Sequence, residues 1–347
     1  MRKMKYIDVF NGDADGIFSL IQLRKVWPQE SRLVTGVKRD NALVRQITSQ
    51  EAEGAHLSIL DISFDKNTDE LARVLKQAES VLYVDHHQAK TLFEHPKLTC
   101  RLDYAADKCT GLLLRDYLIA NAEMSDDLRH KLSLWAIAAA YGDGLDKVAA
   151  TEADALGLSA EQKAQLRELG ILVNYNGYGT QVADLHFAPD ELYQRLQQYD
   201  SPFAVVADAN SPYTTLKAGY DSDLALAEQS DVLVENDTLI AIQLANAPWS
   251  RRISGTFGNL LAAGNPNKAI VIATQNVAKD DEPATLTISL RAPKNNLQGA
   301  GDICASFPTG GGRAGAAGVN ALPAAALIDF LSHVADYYNG LTQRIES

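Results

Sequence analysis

Acidic and imidazole side chains recur where apolar segments of the first half of the chain end. Asp85, His86 and His87 follow the apolar run VLYV. Asp61 ends the run LSILD, and Asp143 follows a long apolar segment in AAAYGDGLD. Carboxylates that are crowded together repel one another unless a cation neutralises them. We therefore interpret these residues as candidates for one cation site.

A pair of carboxylates follows the first apolar run, YIDVF, in the segment FNGDADGI. Only one residue separates Asp13 from Asp15, so both side chains of an extended turn point the same way, and Gly12 and Gly16 allow a sharp backbone path. An isolated Asp-x-Asp pair is more often a turn than a ligand pair. Combined with imidazole, and without a thiolate, the pair favours Mn²⁺ or Mg²⁺ over structural zinc.

The elements that position these residues alternate between strand and helix patterns. Strands are predicted at 6–10, 32–37, 57–60, 81–84 and 98–102, and helices at 16–27, 67–78, 110–120 and 125–142. Such alternation predicts an α/β fold, with a mostly parallel sheet covered by helices on both faces. Sites in such folds lie beyond the carboxyl ends of the strands, where the acidic and imidazole residues fall.

The second half of the chain resumes this alternation after a helical stretch. Helices are predicted at 159–170, 188–199, 251–263, 302–307 and 323–341, strands at 238–245, 268–275 and 284–292, and loops at 174–181 and 308–320. The loop at 308–320, PTGGGRAGAAGVN, is either a flexible linker or an anion-binding nest of backbone N–H groups. We predict a domain at 1–150, a helical connection at 151–230 and a smaller α/β domain at 231–347.

Composition limits the classes of partner. The 347 residues carry a formal net charge of −12, which argues against wrapping long duplex nucleic acid. No apolar run reaches the ~20 residues that span a bilayer, and the first residues do not predict a signal peptide. The sparse cysteines, Cys100, Cys109 and Cys304, are typical of a reducing cytoplasm. We expect a cytoplasmic protein with no membrane partner.

Two groups of motifs resemble those of the DHH phosphoesterases. DAD, LD, VDHH and GD stand in the order of the four motifs of that family, and GGGRAGAAG and SLRA resemble its associated C-terminal domain. The family includes RecJ-like exonucleases, nanoRNase-type oligoribonucleases, cyclic-dinucleotide phosphodiesterases and, more distantly, family II pyrophosphatases. The resemblance covers nearly the whole chain and implies an active site in a cleft between two domains.

The resemblance also implies roles for the motif residues in a site of two metal ions, usually manganese, with magnesium as an alternative. One ion would be bound by Asp13 and Asp61, and the other by Asp15, Asp61, His86 and Asp143. Asp85 would orient His86 or contact a metal directly, and His87 would face the substrate phosphate. The sequence departs from the family at Val9, where many members have a histidine.

The implied substrate is a short linear oligonucleotide or dinucleotide, such as pGpG or nanoRNA, which is hydrolysed to mononucleotides. Its far end would be held by residues of the C-terminal domain: Arg291, Gly310, Gly311, Gly312 and Arg313. Arg313 stands where the family usually has a histidine. Two alternatives remain open: a phosphatase acting on pyrophosphate, polyphosphate or pAp, and a catalytically idle nucleotide-binding protein. The oligomeric state is also open, and a homodimer is compatible with the sequence.

Overall fold

The computed structural model of the chain describes residues 4–277 and 283–345, with side chains up to residue 339. It consists of two compact units, Met1–Gly219 and Tyr220–Ser347. Among the described residues, no helix has both the length and the apolar character to cross a bilayer. The predicted boundaries at 150 and 230 stay a prediction about functional domains.

The first unit contains five strands and most of the helices. Its elements are β1 (Lys5–Phe10), α1 (Ala14–Val26), β2 (Arg32–Val34), α2 (Ser49–Ala52), β3 (Ala55–Leu60), α3 (Phe64–Leu75), β4 (Ser80–Asp85), β5 (Leu98–Leu102), α4 (Thr110–Asn121), α5 (Asp126–Gly142), α6 (Asp146–Ala155), α7 (Ala160–Gly177), α8 (Pro189–Leu196), α9 (Pro202–Ala207) and α10 (Pro212–Glu228), which crosses the unit boundary. Every strand predicted from the sequence in this half is confirmed, although β2 is shorter than expected.

The five strands form one parallel sheet in the order β2-β1-β3-β4-β5. The chain runs from β1 outward to β2 and then returns to the other side of β1 with β3. Ligand sites of open α/β sheets lie at such a switch point, beyond the carboxyl ends of the strands. Phe10 pairs with Leu60, and Leu60 pairs with Val84, so the residues that follow these three strands meet at one edge.

Apolar side chains cover both faces of the sheet. One face packs with α2 and α3 through a core that includes Phe64, Leu71 and Tyr83. The other face is covered by α1 and α4, on which α5 packs, and α1 is buried from Ala14 to Arg24. Each Å² of apolar surface that is buried contributes about 25 cal/mol, and this burial stabilises the layered arrangement. The predicted sheet with helices on both faces is thereby confirmed.

Helix α7 corrects the sequence prediction of a loop at 174–181. The helix continues to Gly177, so Asn174, Asn176 and Gly177, which suggested a loop, are helical. Gly177 is needed there because a Cβ atom would lie 3.1 Å from the Cα atom of Asp13. The loop prediction was therefore wrong for residues 174–177, and the close approach brings α7 against the segment that follows β1.

The second unit is a mixed α/β fold around a sheet of six strands, in the order β10-β11-β9-β8-β7-β6. Its elements are β6 (Asp231–Glu235), β7 (Leu239–Leu244), α11 (Pro248–Gly264), β8 (Ala269–Gln275), β9 (Thr285–Arg291), α12 (Ala300–Ala305), β10 (Gly310–Arg313), β11 (Ala316–Pro323) and α13 (Leu327–Ile345). The predicted loop at 308–320 was wrong: most of this segment belongs to the antiparallel hairpin of β10 and β11. The prediction of a smaller C-terminal α/β domain is confirmed in its fold class.

Candidate metal centre

His86 is at the centre of a polar cluster at the carboxyl edge of the parallel sheet. Its Nδ1 atom lies 3.0 Å from the carbonyl oxygen of Lys108. A ring nitrogen that faces a carbonyl donates its proton there, so Nε2 keeps a free lone pair. Nε2 lies 3.6 Å from Asp61 Oδ1, 3.6 Å from Asp143 Oδ2 and 3.9 Å from Asp15 Oδ2. A metal-binding histidine is typically fixed through its second nitrogen in this way.

These side chains fit a divalent cation. Two ligand atoms that each lie ~2.1 Å from an ion such as Mg²⁺ are at most ~4.2 Å apart, and the His86 distances meet that limit. The described residues contain two candidate ligand groups, Asp15–His86–Asp143 and Asp61–His86–His87. The Oδ2 atom of Asp143 is buried and has no hydrogen-bond partner among the described residues. A cation would satisfy this oxygen, so the residues fit a metal.

Asp61 has both the backbone and the electrostatic features of a functional carboxylate. Its φ angle is 59°, a left-handed conformation that costs an ordinary side chain free energy and that aspartate tolerates. Burial raises the pKa of Asp61 well above its usual range, and the charges of Asp15 and Asp13 raise it further. Burial also raises the pKa of Asp15. A divalent cation would favour the ionised form of both carboxyl groups.

The N-terminus of α4 holds Asp15 in place. Its two carboxylate oxygens accept hydrogen bonds from the backbone N–H groups of Thr110, at 2.8 Å, and Gly111, at 2.7 Å. The hydroxyl of Thr110 also donates to Asp61 Oδ1 at 3.1 Å. A helix N-terminus favours a negative charge in this position. Sequence reasoning missed Thr110, whose signal was its place at the start of a predicted helix.

Asp85 and His87 form a second pair beside the cluster. Oδ1 of Asp85 lies 2.6 Å from Nδ1 of His87. Burial alone would lower the pKa of His87, but the hydrogen bond and the charge of Asp85 outweigh it and the pKa is raised. The resemblance implied that Asp85 orients His86 or contacts a metal. In the structure the carbonyl oxygen of Lys108 orients His86, and Asp85 is bonded to His87. Metal contact by Asp85 and phosphate contact by His87 stay predictions.

Asp13 is bound to a lysine that sequence analysis did not single out. Nζ of Lys38 lies 2.6 Å from Asp13 Oδ2 and 2.7 Å from Asn174 Oδ1. Burial alone would lower the pKa of Lys38, but the charges of Asp13 and Tyr178 raise it well above its usual range. The signal for Lys38 was its position in TGVKRD, just beyond β2 at the same sheet edge. Neither candidate ligand group of the described residues includes Asp13.

The two candidate arginines of the C-terminal unit lie in one row of its sheet. Ala316 pairs with Arg313 on β10 and with Arg291 on β9. Directly opposed residues point to the same face, and two strand spacings separate the arginine backbones by ~10 Å. Arg291 donates to Asn259 at 2.7 Å and to Ser289 at 2.9 Å. We call Arg291, Ala316 and Arg313 the arginine row.

The three glycines beside the arginine row differ in their surroundings. A Cβ atom on Gly310 would overlap the carbonyl oxygen of Cys304, at the end of α12, and one on Gly312 would collide with Ala317 of β11. A Cβ atom on Gly311 would meet nothing within 4 Å. Packing therefore explains Gly310 and Gly312, whereas it leaves Gly311 open to a ligand.

No protein-family model matches the chain, and no curated protein matches it. Solved structures do. The manganese-bound exonuclease RecJ superposes with a TM-score of 0.59 and 14% identity, over 98% of this chain and 91% of that one. The pGpG-specific phosphodiesterase PggH from Vibrio cholerae gives 0.54 and 11%, over 97% and 99%. An exopolyphosphatase-related protein from Bacteroides fragilis gives 0.53 and 15%, over 98% and 94%.

These similarities extend over nearly the whole chain and both of its units. A DHH-domain protein also superposes, with a TM-score of 0.58 and 11% identity over 96% of this chain and 86% of that one. The fold of the chain is that of the two-domain DHH phosphoesterases. The resemblance inferred from the motifs is thus confirmed at the level of the fold.

Proposed function

We propose that the chain is a metal-dependent phosphodiesterase that hydrolyses short linear oligonucleotides, including dinucleotides such as pGpG, to mononucleotides. The position of His86 carries the metal-dependent part of this proposal. Its Nε2 atom faces Asp15, Asp61 and Asp143, while its Nδ1 atom is fixed by a backbone carbonyl. Carboxylates with one imidazole suit Mn²⁺, with Mg²⁺ as the alternative.

Each group of the centre has a distinct task in this proposal. Asp15, Asp61, His86 and Asp143 hold the ion. When bound, the ion polarises phosphoryl oxygens and lowers the pKa of coordinated water. His87 is held by Asp85 through Nδ1, which leaves its Nε2 atom to contact the phosphate of the substrate. The number of ions is a separate question, because Asp13 is bonded to Lys38.

The arginine row supports a phosphate-bearing substrate. Two guanidinium groups on one sheet face match phosphate geometry, and Gly311 leaves room for a ligand beside them. The net charge of −12 also fits a small anion better than a long duplex. We propose a cytoplasmic location from the sparse cysteines.

A substrate panel tests the proposal. Metal-stripped protein would be assayed with Mn²⁺ or Mg²⁺ against pGpG, other dinucleotides and longer strands. We expect Mn²⁺-dependent release of mononucleotides, lost in His86→Ala. His56→Ala is the matched control: this histidine lies on β3 of the same sheet and bonds Ser80 at 2.8 Å, so it should keep full activity. Equal turnover with and without metal would refute the proposal.

A polyphosphate phosphatase is the second candidate, because the fold is also that of an exopolyphosphatase-related protein. The same panel includes pyrophosphate, polyphosphate and pAp. Faster release of phosphate from these compounds than of mononucleotides from pGpG would favour this candidate. Tight binding of pGpG with no metal-dependent turnover would instead favour a catalytically idle nucleotide-binding protein.

A further inference from the structure

Lys38 is fixed from several directions inside the candidate metal centre. Its backbone N–H donates to the carbonyl oxygen of Gly177 at 2.9 Å. Its ammonium group donates to Asp13 and Asn174, and lies 5.4 Å from the ring centroid of Tyr178. The side chain is only 21% exposed. Helix α7 binds both the backbone and the ammonium group of Lys38, and Asp13 binds the ammonium group as well. The lysine is therefore a fixed part of the centre.

The ammonium group and His86 approach different oxygens of Asp143. The Oδ2 atom of Asp143 lies 3.6 Å from His86 Nε2, which we call the His86 side, and its Oδ1 atom lies 3.9 Å from Lys38 Nζ, which we call the Asp13 side. Oδ1 of Asp13 accepts from the N–H of Gly16 at 3.1 Å, and its Oδ2 atom is bonded to Lys38. Both oxygens of Asp13 are therefore engaged by groups of the protein.

A second divalent ion bound to Asp13 would have to displace or closely approach this ammonium group. Like charges at such short range repel strongly in a site screened from water, while Lys38 already neutralises the Asp13 carboxylate. The residues on the His86 side fit one ion, but those on the Asp13 side do not fit another.

We propose that the centre takes one divalent ion, on the side of Asp15, Asp61 and His86, and that the Lys38 ammonium group supplies the second positive charge. Asp13 then positions Lys38 and is not a metal ligand. The lysine offers its charge to a phosphate oxygen that a second ion would otherwise neutralise. This inference deepens the proposed function and rests on it only for the identity of the phosphate ligand.

Counting metal ions tests the inference. Protein stripped with a chelator would be titrated with Mn²⁺, and bound ions counted by equilibrium dialysis and by electron paramagnetic resonance. We expect one ion per chain, with the spectrum of an isolated Mn²⁺. Two ions per wild-type chain with an exchange-coupled spectrum would overturn the inference, whatever the activity.

Two lysine variants sharpen the count. Lys38→Met removes the charge and releases Asp13, so we expect the count to rise from one ion to two. Lys163→Met is the matched control, because Lys163 lies 2.6 Å from Asp154 and is 28% exposed, and its count should stay at one. A folded Lys38→Met that still binds one ion would refute exclusion by the lysine. If Lys38→Met fails to fold, the wild-type count still decides.

The count separates this inference from the proposed function. One ion per chain without any phosphodiesterase activity would leave the inference standing and overturn the function. Phosphodiesterase activity with two ions per chain would do the reverse.

Discussion

The metal centre of the N-terminal unit and the arginine row of the C-terminal unit are built in opposite ways. At the metal centre, Asp15 and Asp61 are buried, and each is bonded to α4. In the arginine row, Arg313 lies on an exposed edge strand. A Cβ atom on its neighbours Gly310 or Gly312 would collide with backbone atoms.

This difference separates two kinds of contribution to function. Buried charges interact strongly because little water screens them, and removing one partner leaves others uncompensated. Exposed charges are screened, and they act mainly on the ligand that covers them. Changes at the metal centre should therefore abolish activity, whereas changes in the arginine row should adjust substrate affinity.

The largest effect is expected from Asp61→Asn. Asparagine tolerates the positive φ angle, so the fold should persist, while loss of a ligand charge should reduce kcat at least about 100-fold. Without metal, the variant should unfold at the same or a higher temperature, because a repelling buried charge is gone. An ion at 100 times its Kd stabilises wild type by about 2.7 kcal/mol. Thermal denaturation should show a smaller metal-induced stabilisation in Asp61→Asn than in wild type. More than a tenth of wild-type turnover under saturating Mn²⁺ would contradict the assignment.

Arg313→Ala should have the next largest effect. A charge-assisted phosphate contact far from the reacting bond is made equally in the ground and transition states, so it changes KM and spares kcat. Loss of ~1.5–3 kcal/mol should raise KM roughly 10- to 100-fold, and Arg313→Lys should recover only part of it. Arg195→Ala is a control, since Arg195 pairs with Glu191 on its own helix. An equal fall in kcat for pGpG and a small model phosphoester would move Arg313 to the reacting phosphate.

The sequence was sufficient to predict the sheet and the collection of acidic residues at its edge. Parallel strands buried on both faces are continuous apolar runs, and their ends must coincide at one edge. Asp13, Asp61 and Asp85 were therefore predictable from strand ends alone. His86 required only its place after β4.

The partners of those residues were not predictable in the same way. Lys38 and Asn174 meet Asp13 only because α7 packs beside the segment after β1, and a linear sequence does not show that approach. Asn174 was further hidden because asparagine and glycine near it are typical of loops, whereas tertiary packing keeps α7 helical there. The hairpin after residue 308 was missed for a similar reason: Gly310 packs closely against α12 and Gly312 against β11, which local composition cannot reveal.

Substrate length gives a third and smaller effect. The proposed function implies a preference for strands of two to about five nucleotides. We expect kcat/KM to fall roughly tenfold, or ~1.4 kcal/mol, between a dinucleotide and a strand of about twenty nucleotides. Cleavage rates for end-labelled strands of increasing length would measure this. Processive digestion of long single strands at the dinucleotide rate would indicate a RecJ-like activity instead.

The smallest effects distinguish packing from ligand binding within the glycine-rich strand. Gly310→Ala forces a methyl group onto the carbonyl of Cys304, so it should destabilise the protein by ~1–3 kcal/mol, measured by urea denaturation. Gly311→Ala meets open space, and its backbone needs no positive φ angle, so stability should stay within about 1 kcal/mol of wild type or rise slightly. The pair then separates the two roles, because only Gly311 can affect KM without affecting folding. A raised KM for pGpG in a fully stable Gly311→Ala would show that the ligand approaches this backbone, as an anion-binding nest requires. An unchanged KM would leave Arg291 and Arg313 as the phosphate contacts of the row, and packing would then account for Gly310 and Gly312 alone.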